Sequence, residues 1–199
     1  MSFASSEPSL RKGFSQQLSD VVTAPLPLAV DMDGTLIRSD MSIRTLRSVV
    51  LPRPWLWAKM LWLEFSGQRP RWKREFGARL AFDPAQLDYN QPFLDWLHEQ
   101  KQAGREIILA TASNEALATK VADHVGIFDS VLGTRDGPNL RQEVKRDALN
   151  ERYGEGKYAY AGNSAHDFPV WEGAGEVIVV NAPPTVLAQM AHRDPLIFD

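Results

Sequence analysis

The chain has no cysteine among its 199 residues. Disulfides, thiolate metal sites and cysteine nucleophiles are therefore excluded, and the composition suits a reducing compartment. No run reaches the roughly 18 apolar residues that a membrane-spanning helix needs. Met1–Leu18 lacks a basic start followed by an apolar stretch, so no secretory signal is expected and the expected location is the cytoplasm. An excess of positive charge is missing as well. The net charge of -3 and the pI of about 5.8 argue against a general nucleic-acid binder. Internal repeats and low-complexity segments are absent. What remains is a chain long enough to bury about 70% of its unfolded surface. It fits one large domain, or a core with a small insert.

The segment 1–24, rich in Ser, Gln and small residues, reads as a tail or a loosely held helix around Phe14–Val22. Leu26–Val30 is short, apolar and without helical period, which predicts a buried strand. From Met41 to Phe82 the texture changes to tryptophan and arginine, with helices expected over Met41–Val50, Trp55–Phe65 and Arg71–Phe82. Asp83-Pro84 is placed to cap a short helical turn. After Pro92, helix and strand alternate. Helices are expected at Phe93–Gln102, Glu115–His124, Glu143–Arg152, Phe168–Gly173 and Pro184–His192. Strands are expected at Ile107–Ala110, Ser130–Gly133, Tyr158–Ala161 and Val177–Val180. Strands separated by helices of this length mean βαβ units, hence an α/β fold with a parallel sheet covered on both faces.

Ligands of such sheets sit at the carboxyl ends of the strands. Polar residues follow three of them: Asp31-Met32-Asp33-Gly34-Thr35, Thr111-Ala112-Ser113-Asn114 and Gly162-Asn163-Ser164-Ala165-His166-Asp167. Asp31 and Asp33 are one residue apart, and buried carboxylates that close repel each other. A divalent cation relieves the repulsion, and Mg²⁺ favours oxygen ligands that join carboxylate to phosphate. An Asp-x-Asp-Gly sequence also occurs in capped turns and calcium loops. Here an apolar strand precedes it and no calcium-loop spacing follows. Ser113 and Asn114 read as caps of the next helix, and His166 as an exposed loop residue. Asp167 also reads as an N-cap before Phe168-Pro169.

Asp31-x-Asp33-Gly34-Thr35 resembles the first signature of the haloacid-dehalogenase-like (HAD) superfamily. Thr111 after Ile107–Ala110, Lys145 near a helix start, and Gly162-Asn163-Ser164-x-x-Asp167 are similar to the second, third and fourth. The match spans about Leu26 to Asn181, and the joint order of the motifs makes it specific. The resemblance implies a Rossmann-like parallel sheet, the HAD fold, with a small helical cap inserted after the first strand. Residues 25–40 and 86–199 would form the core and 41–85 the cap. It further implies a Mg²⁺-dependent phosphatase. Asp31 would form an aspartyl-phosphate, and Asp33 would protonate the leaving oxygen and then activate water. Thr111, Lys145, Gly34 and Ala112 would hold phosphoryl oxygens. Mg²⁺ would sit among Asp31, the carbonyl of Asp33, and Asn163 or Asp167. Lys157 is a second candidate for the phosphate-binding cation, although it falls at the wrong end of a strand. A carboxylate at 33 favours hydrolysis over carbon–halogen cleavage or a persistent phosphoenzyme; phosphotransfer to a second acceptor stays open. Asn163 departs from the family's usual Asp and removes one negative charge from the metal site.

Trp55–Phe65 is apolar nearly all round, interrupted by Lys59 and Glu64. Such a helix is buried or faces a greasy partner. With the basic run Arg69-Pro70-Arg71-Trp72-Lys73-Arg74 beside it, it reads as either the packed core of the cap or an interfacial helix at the inner face of a membrane. Ile108–Asn114 and Tyr160–Ser164 also resemble the HAD domain joined to polyprenyl transferases of the UbiA type. That likeness implies a polyprenyl-linked or sugar phosphate as substrate, with contact to a membrane or a prenyl transferase through the cap. A non-catalytic partner domain is the alternative.

Overall fold

The computed structural model describes residues 25–41, 52, 54–66, 82–135 and 139–199. Three consecutive apolar residues open the sheet as β1 (Leu28–Val30), buried on both faces as a central parallel strand must be. Helix α1 (Pro54–Phe65) follows, with proline at its start where the missing N–H costs nothing. A single 3₁₀ turn, Pro84–Gln86, is capped by the Asp83 carboxylate, which accepts from the Ala85 N–H. The alternating part then runs α2 (Gln91–Gln102), β2 (Ile107–Asn114), α3 (Glu115–Val125), β3 (Ser130–Thr134), α4 (Gln142–Tyr153), β4 (Ala159–Gly162), α5 (Phe168–Gly173), β5 (Glu176–Val180), α6 (Pro184–Met190) and β6 (Leu196–Phe198).

All six strands are parallel, in the order β3-β2-β1-β4-β5-β6. The strand period of two divides the core between the faces. Leu28, Val30, Ile107, Leu109, Ala159 and Ala161 point to one side, against Phe93 and Leu97 of α2 and Leu117 and Val121 of α3. Ala29, Ile108, Tyr158 and Tyr160 point to the other, against Leu149 of α4, Trp171 of α5 and Val186 of α6. Leu56 and Leu63 of α1 belong to the first cluster, so the described part of the insert packs into the same apolar layer as the core.

Three expectations are adjusted. Helix α2 begins two residues before the expected Phe93, because Asn90 supplies the cap and Pro92 is accommodated in the first turn. Strand β2 does not stop at Ala110; it runs on to Asn114, with a register irregularity beside β3 between Ala110 and Asn114. The edge strand β6 was not anticipated. It is three residues long and gains its place from outside itself, by pairing with β5 and by packing of Phe198 on Phe93 and Trp96. The expected tail 1–24 and nearly all of the expected helices Met41–Val50 and Arg71–Phe82 lie outside the described residues.

Candidate active site

Strand order changes direction between β1 and β4, and the crevice at such a switch point is where open α/β sheets bind ligands. Asp31 is the first residue past β1. Its N–H donates to the Ala161 carbonyl of β4 at 2.9 Å, which ties the loop to the neighbouring strand end. The chain then turns tightly: the Gly34 N–H donates to the Ile37 carbonyl at 2.7 Å, and the Ile37 N–H to the Met32 carbonyl at 3.0 Å. Gly34 has φ +82°, and a Cβ there would overlap the Asn163 side-chain amide. Only glycine meets both demands without strain. Gly162 is needed for a similar reason, since a Cβ on it would stand 2.7 Å from the Asp167 carboxylate carbon.

Lys145 reaches in from α4 and is 3% exposed. Its ammonium donates to Asp31 Oδ1 at 2.6 Å and to the Tyr160 hydroxyl at 2.9 Å. Tyr160 Oη in turn donates to Asp167 Oδ1 at 2.7 Å. The other oxygen of Asp167 accepts from the N–H groups of Asn163 and Ser164 and from Ser164 Oγ. One chain of charge-assisted bonds thus runs Asp31, Lys145, Tyr160, Asp167 and then the loop after β4. Lys157, the alternative cation, is exposed just before β4, at the opposite end of the sheet. Asp167 does not cap α5; it closes a capping box with Ser164 on the 3₁₀ turn Ala165–Asp167, reaching backward rather than forward.

Asp33 Oδ1 accepts from the Met41 N–H at 2.7 Å and Oδ2 from Ser113 Oγ at 2.5 Å. Ser113 is therefore not a helix cap; Asn114 alone has that role, accepting from the Leu117 N–H. Thr111 is fully buried, and its Oγ accepts from the Ser113 N–H at 3.0 Å, which leaves its hydroxyl proton to donate elsewhere. Asp31, Asp33, Thr111, Lys145, Asn163 and Asp167 border a cavity of about 430 Å³, and Ala112 contributes to its wall. Gly34 lies behind Asn163 and shapes the floor indirectly. His166 is exposed at the mouth, 3.3 Å from the Gln142 amide.

Electrostatics follow from burial. The Asp31 carboxyl is pushed up to about 7, chiefly by burial; the Lys145 ammonium pulls it down, and Asp167 and Asp33 push it up. Tyr160 is raised well above the ordinary phenol value by burial, then by Asp167 and Asp31, so its proton stays in place. The cavity wall gathers four carboxylates, Asp31, Asp33, Asp40 and Asp167, against Lys145 and Arg141, an excess of negative charge that a hard cation offsets. Among the described residues no group of three or more His, Cys, Asp and Glu side chains is placed to hold a metal ion by itself. A hard divalent cation that keeps several waters needs few protein ligands, and the Asp31, Asp33, Asn163 and Asp167 oxygens on the wall suit that chemistry.

Tyr160 was not singled out from the sequence, and Ser113 was read only as a helix cap. Both carried a signal. A tyrosine inside a buried strand needs a partner for its hydroxyl. Ser113 lies two residues past Thr111 on extended chain, hence on the same face.

A parallel sheet in this order, with a carboxylate-and-lysine cavity at its switch point, defines an α/β protein of the Rossmann-like class. The chain belongs to the haloacid dehalogenase-like hydrolases: the model of that family matches residues 53–172, a stretch that holds Thr111, Lys145, Asn163 and Asp167 and begins after Asp31 and Asp33. It is 34% identical over 161 residues to the uncharacterized protein y4nM of Sinorhizobium fredii (strain NBRC 101917 / NGR234), covering 81% of this chain and 31% of that protein. The chain thus spans about a third of that relative's length. In fold it is similar to a Bordetella pertussis Tohama I protein of unknown function, with TM-score 0.66, 18% identity, and 89% and 99% of the two chains covered. Similar too are a HAD family hydrolase of Salmonella enterica serovar Typhi, with TM-score 0.60, 17% identity and 92% and 75% covered, and a substrate-bound phosphoserine phosphatase, with TM-score 0.60, 14% identity and 88% and 93% covered.

Proposed function

We propose that the chain is a divalent-metal-dependent phosphomonoester hydrolase with Asp31 as nucleophile. The observation that carries this reading is the Asp31 carboxylate on the cavity wall, held by the buried Lys145 ammonium at 2.6 Å, with Asp33 and Thr111 bordering the same space. Asp31 attacks phosphorus, and the aspartyl-phosphate forms as the bond from phosphorus to the substrate oxygen breaks. Asp33, oriented by Met41 N–H and Ser113 Oγ, delivers the proton to that oxygen and later takes one from the attacking water. Lys145 and the Thr111 hydroxyl hold phosphoryl oxygens, where charge stabilisation is most of what phosphoryl transfer requires.

Mg²⁺ would be held by Asp31, the Asp33 carbonyl, Asn163 and Asp167, and would neutralise charge on the phosphoryl oxygens. Asp167 Oδ1 accepts one hydrogen bond, from Tyr160, where Oδ2 accepts three, so Oδ1 is the oxygen with capacity for it. Residues 41–85 act as the cap that selects the substrate, an apolar polyprenyl-linked or sugar phosphate. The test is phosphate release from a panel of phosphomonoesters, with Mg²⁺ and with chelator. Asp31→Asn is expected to lose release by several powers of ten while keeping its melting temperature, since the amide cannot act as nucleophile. A variant as fast as the parent chain would overturn the reading, and phosphate transfer to an added alcohol in place of release would redirect it to phosphotransfer.

A further inference from the structure

Helix α1 has two apolar faces. At 3.6 residues per turn, Leu56, Met60 and Leu63 fall on one stripe, and it is this stripe that joins the core cluster. Lys59 and Glu64 fall on its two borders. Beyond those borders the helix turns apolar again. Trp55 is 68% exposed, Trp57 39%, Leu61 45%, Trp62 60% and Phe65 88%, all on the side away from the core. A helix that only packed a cap would be polar there. The exposed patch is on the order of 600 Å², at or above the largest apolar patch of an ordinary monomer.

Charge selects the occupant. Residues 41–85 carry nine of the chain's 22 Lys and Arg but three of its 25 Asp and Glu, so this segment is +6 while the rest of the chain is -9. An apolar, tryptophan-rich helix face on a basic segment is the pattern of a helix that lies in a membrane interface, with its aromatics at headgroup depth and its basic flank toward anionic lipid. A second copy fits less well. The patch is smaller than the roughly 800 Å² per partner of a stable interface, and each copy would bring a segment of net charge +6. Nucleic acid would call for basic side chains on the face itself, where Lys59 stands only at its edge.

We infer that the outer face of α1 is a docking surface for an anionic lipid bilayer, which places the chain peripherally at a membrane whatever its substrate. The full chain is sedimented with phosphatidylcholine vesicles with and without phosphatidylglycerol. Binding is expected to the anionic vesicles only and to weaken with added salt. The triple variant Trp55→Gln, Trp62→Gln, Phe65→Gln is expected to weaken it about tenfold or more, with the melting temperature unchanged. Vesicle binding that is absent, or that the triple variant leaves intact, overturns the inference. So does a large fall in melting temperature, which would mean the face is packed within the chain. Concentration-dependent dimers abolished by the variant would assign the face to a second copy, and preferential binding of an oligonucleotide would assign it to nucleic acid; either outcome also overturns it.

Discussion

Tyr160→Phe isolates the hydrogen-bond chain that joins Lys145 to Asp167. The tyrosine is fully buried, and its hydroxyl does two things at once: it accepts from Lys145 Nζ at 2.9 Å and donates to Asp167 Oδ1 at 2.7 Å. Phenylalanine keeps the ring in its place against Trp171 and removes only the oxygen. Two bonds to charged groups are lost in a space closed to bulk water, and such bonds contribute about 1.5–3 kcal/mol each. Lys145 retains Asp31 and Asp167 retains the loop N–H groups, so the loss is partial and a destabilisation of about 2–4 kcal/mol is expected. Urea unfolding in chelator measures it without contribution from a bound cation. Metal affinity or kcat/KM should fall as well, by about 10–100-fold, because Asp167 and Lys145 lose the group that aligns them. A destabilisation under about 0.5 kcal/mol with unaltered kinetics would show that the hydroxyl bridges nothing of consequence, and the reasoning from this chain would fail.

Gly34→Ala should cost about 1–2 kcal/mol for a side chain at φ +82° and displace the Asn163 amide behind it, so Mg²⁺ affinity should fall by more than stability does; calorimetric titration beside a melting curve separates the two. Asn163→Asp should tighten Mg²⁺ binding by restoring a charged oxygen and should lower the melting temperature in chelator; an unchanged Mg²⁺ affinity would show that Asn163 is not a ligand. The pH dependence follows from Asp31, whose folded-state carboxyl stands at about 7 against an ordinary value of 3.8. A raised carboxyl binds its proton more tightly when folded, so its contribution is present below about 4 and lost as pH rises through 7. In chelator the melting temperature should decline over that window, and the gain from Mg²⁺ should be larger at pH 8 than at pH 5; equal gains at both would contradict it.

The strands and the three polar strand ends were legible because their signals are local. An apolar triplet such as Leu28–Val30 reads as a buried strand in any context, and a turn that begins Asp-x-Asp-Gly demands a glycine at a left-handed φ. What bonds to what across elements was not legible. Whether the Lys145 ammonium meets Asp31 depends on how α4 lies over β4, and no periodicity in either segment encodes that offset. Ser113 was misread as a cap for the same reason: its partner Asp33 is 80 residues away in the chain. Strand β6 shows the limit for edge elements, since Leu196–Phe198 is ordinary apolar sequence until β5 and Phe93 are beside it. For α1 the sequence offered core or interface as alternatives. The fold makes them compatible, because Leu56 and Leu63 are buried while Trp55, Trp62 and Phe65 are not.

Asn163 can be weighed against Asp31 in the same terms. Asp33 and Asp167 already raise the Asp31 carboxyl, and Lys145 is the cation that opposes them. A further carboxylate at position 163 would add another charge of the same sign beside the Gly34 turn. It would bind a cation more tightly, yet without the cation it would push Asp31 further toward its protonated, non-nucleophilic form. An amide supplies a carbonyl oxygen to a hard cation and leaves the nucleophile easier to ionise. On this reasoning Asn163 exchanges cation affinity for a readier Asp31. Asn163→Asp should therefore shift the acid limb of phosphate release upward at limiting Mg²⁺, and converge with the parent chain at saturation. Identical acid limbs at limiting Mg²⁺ would mean that position 163 exerts no field on Asp31.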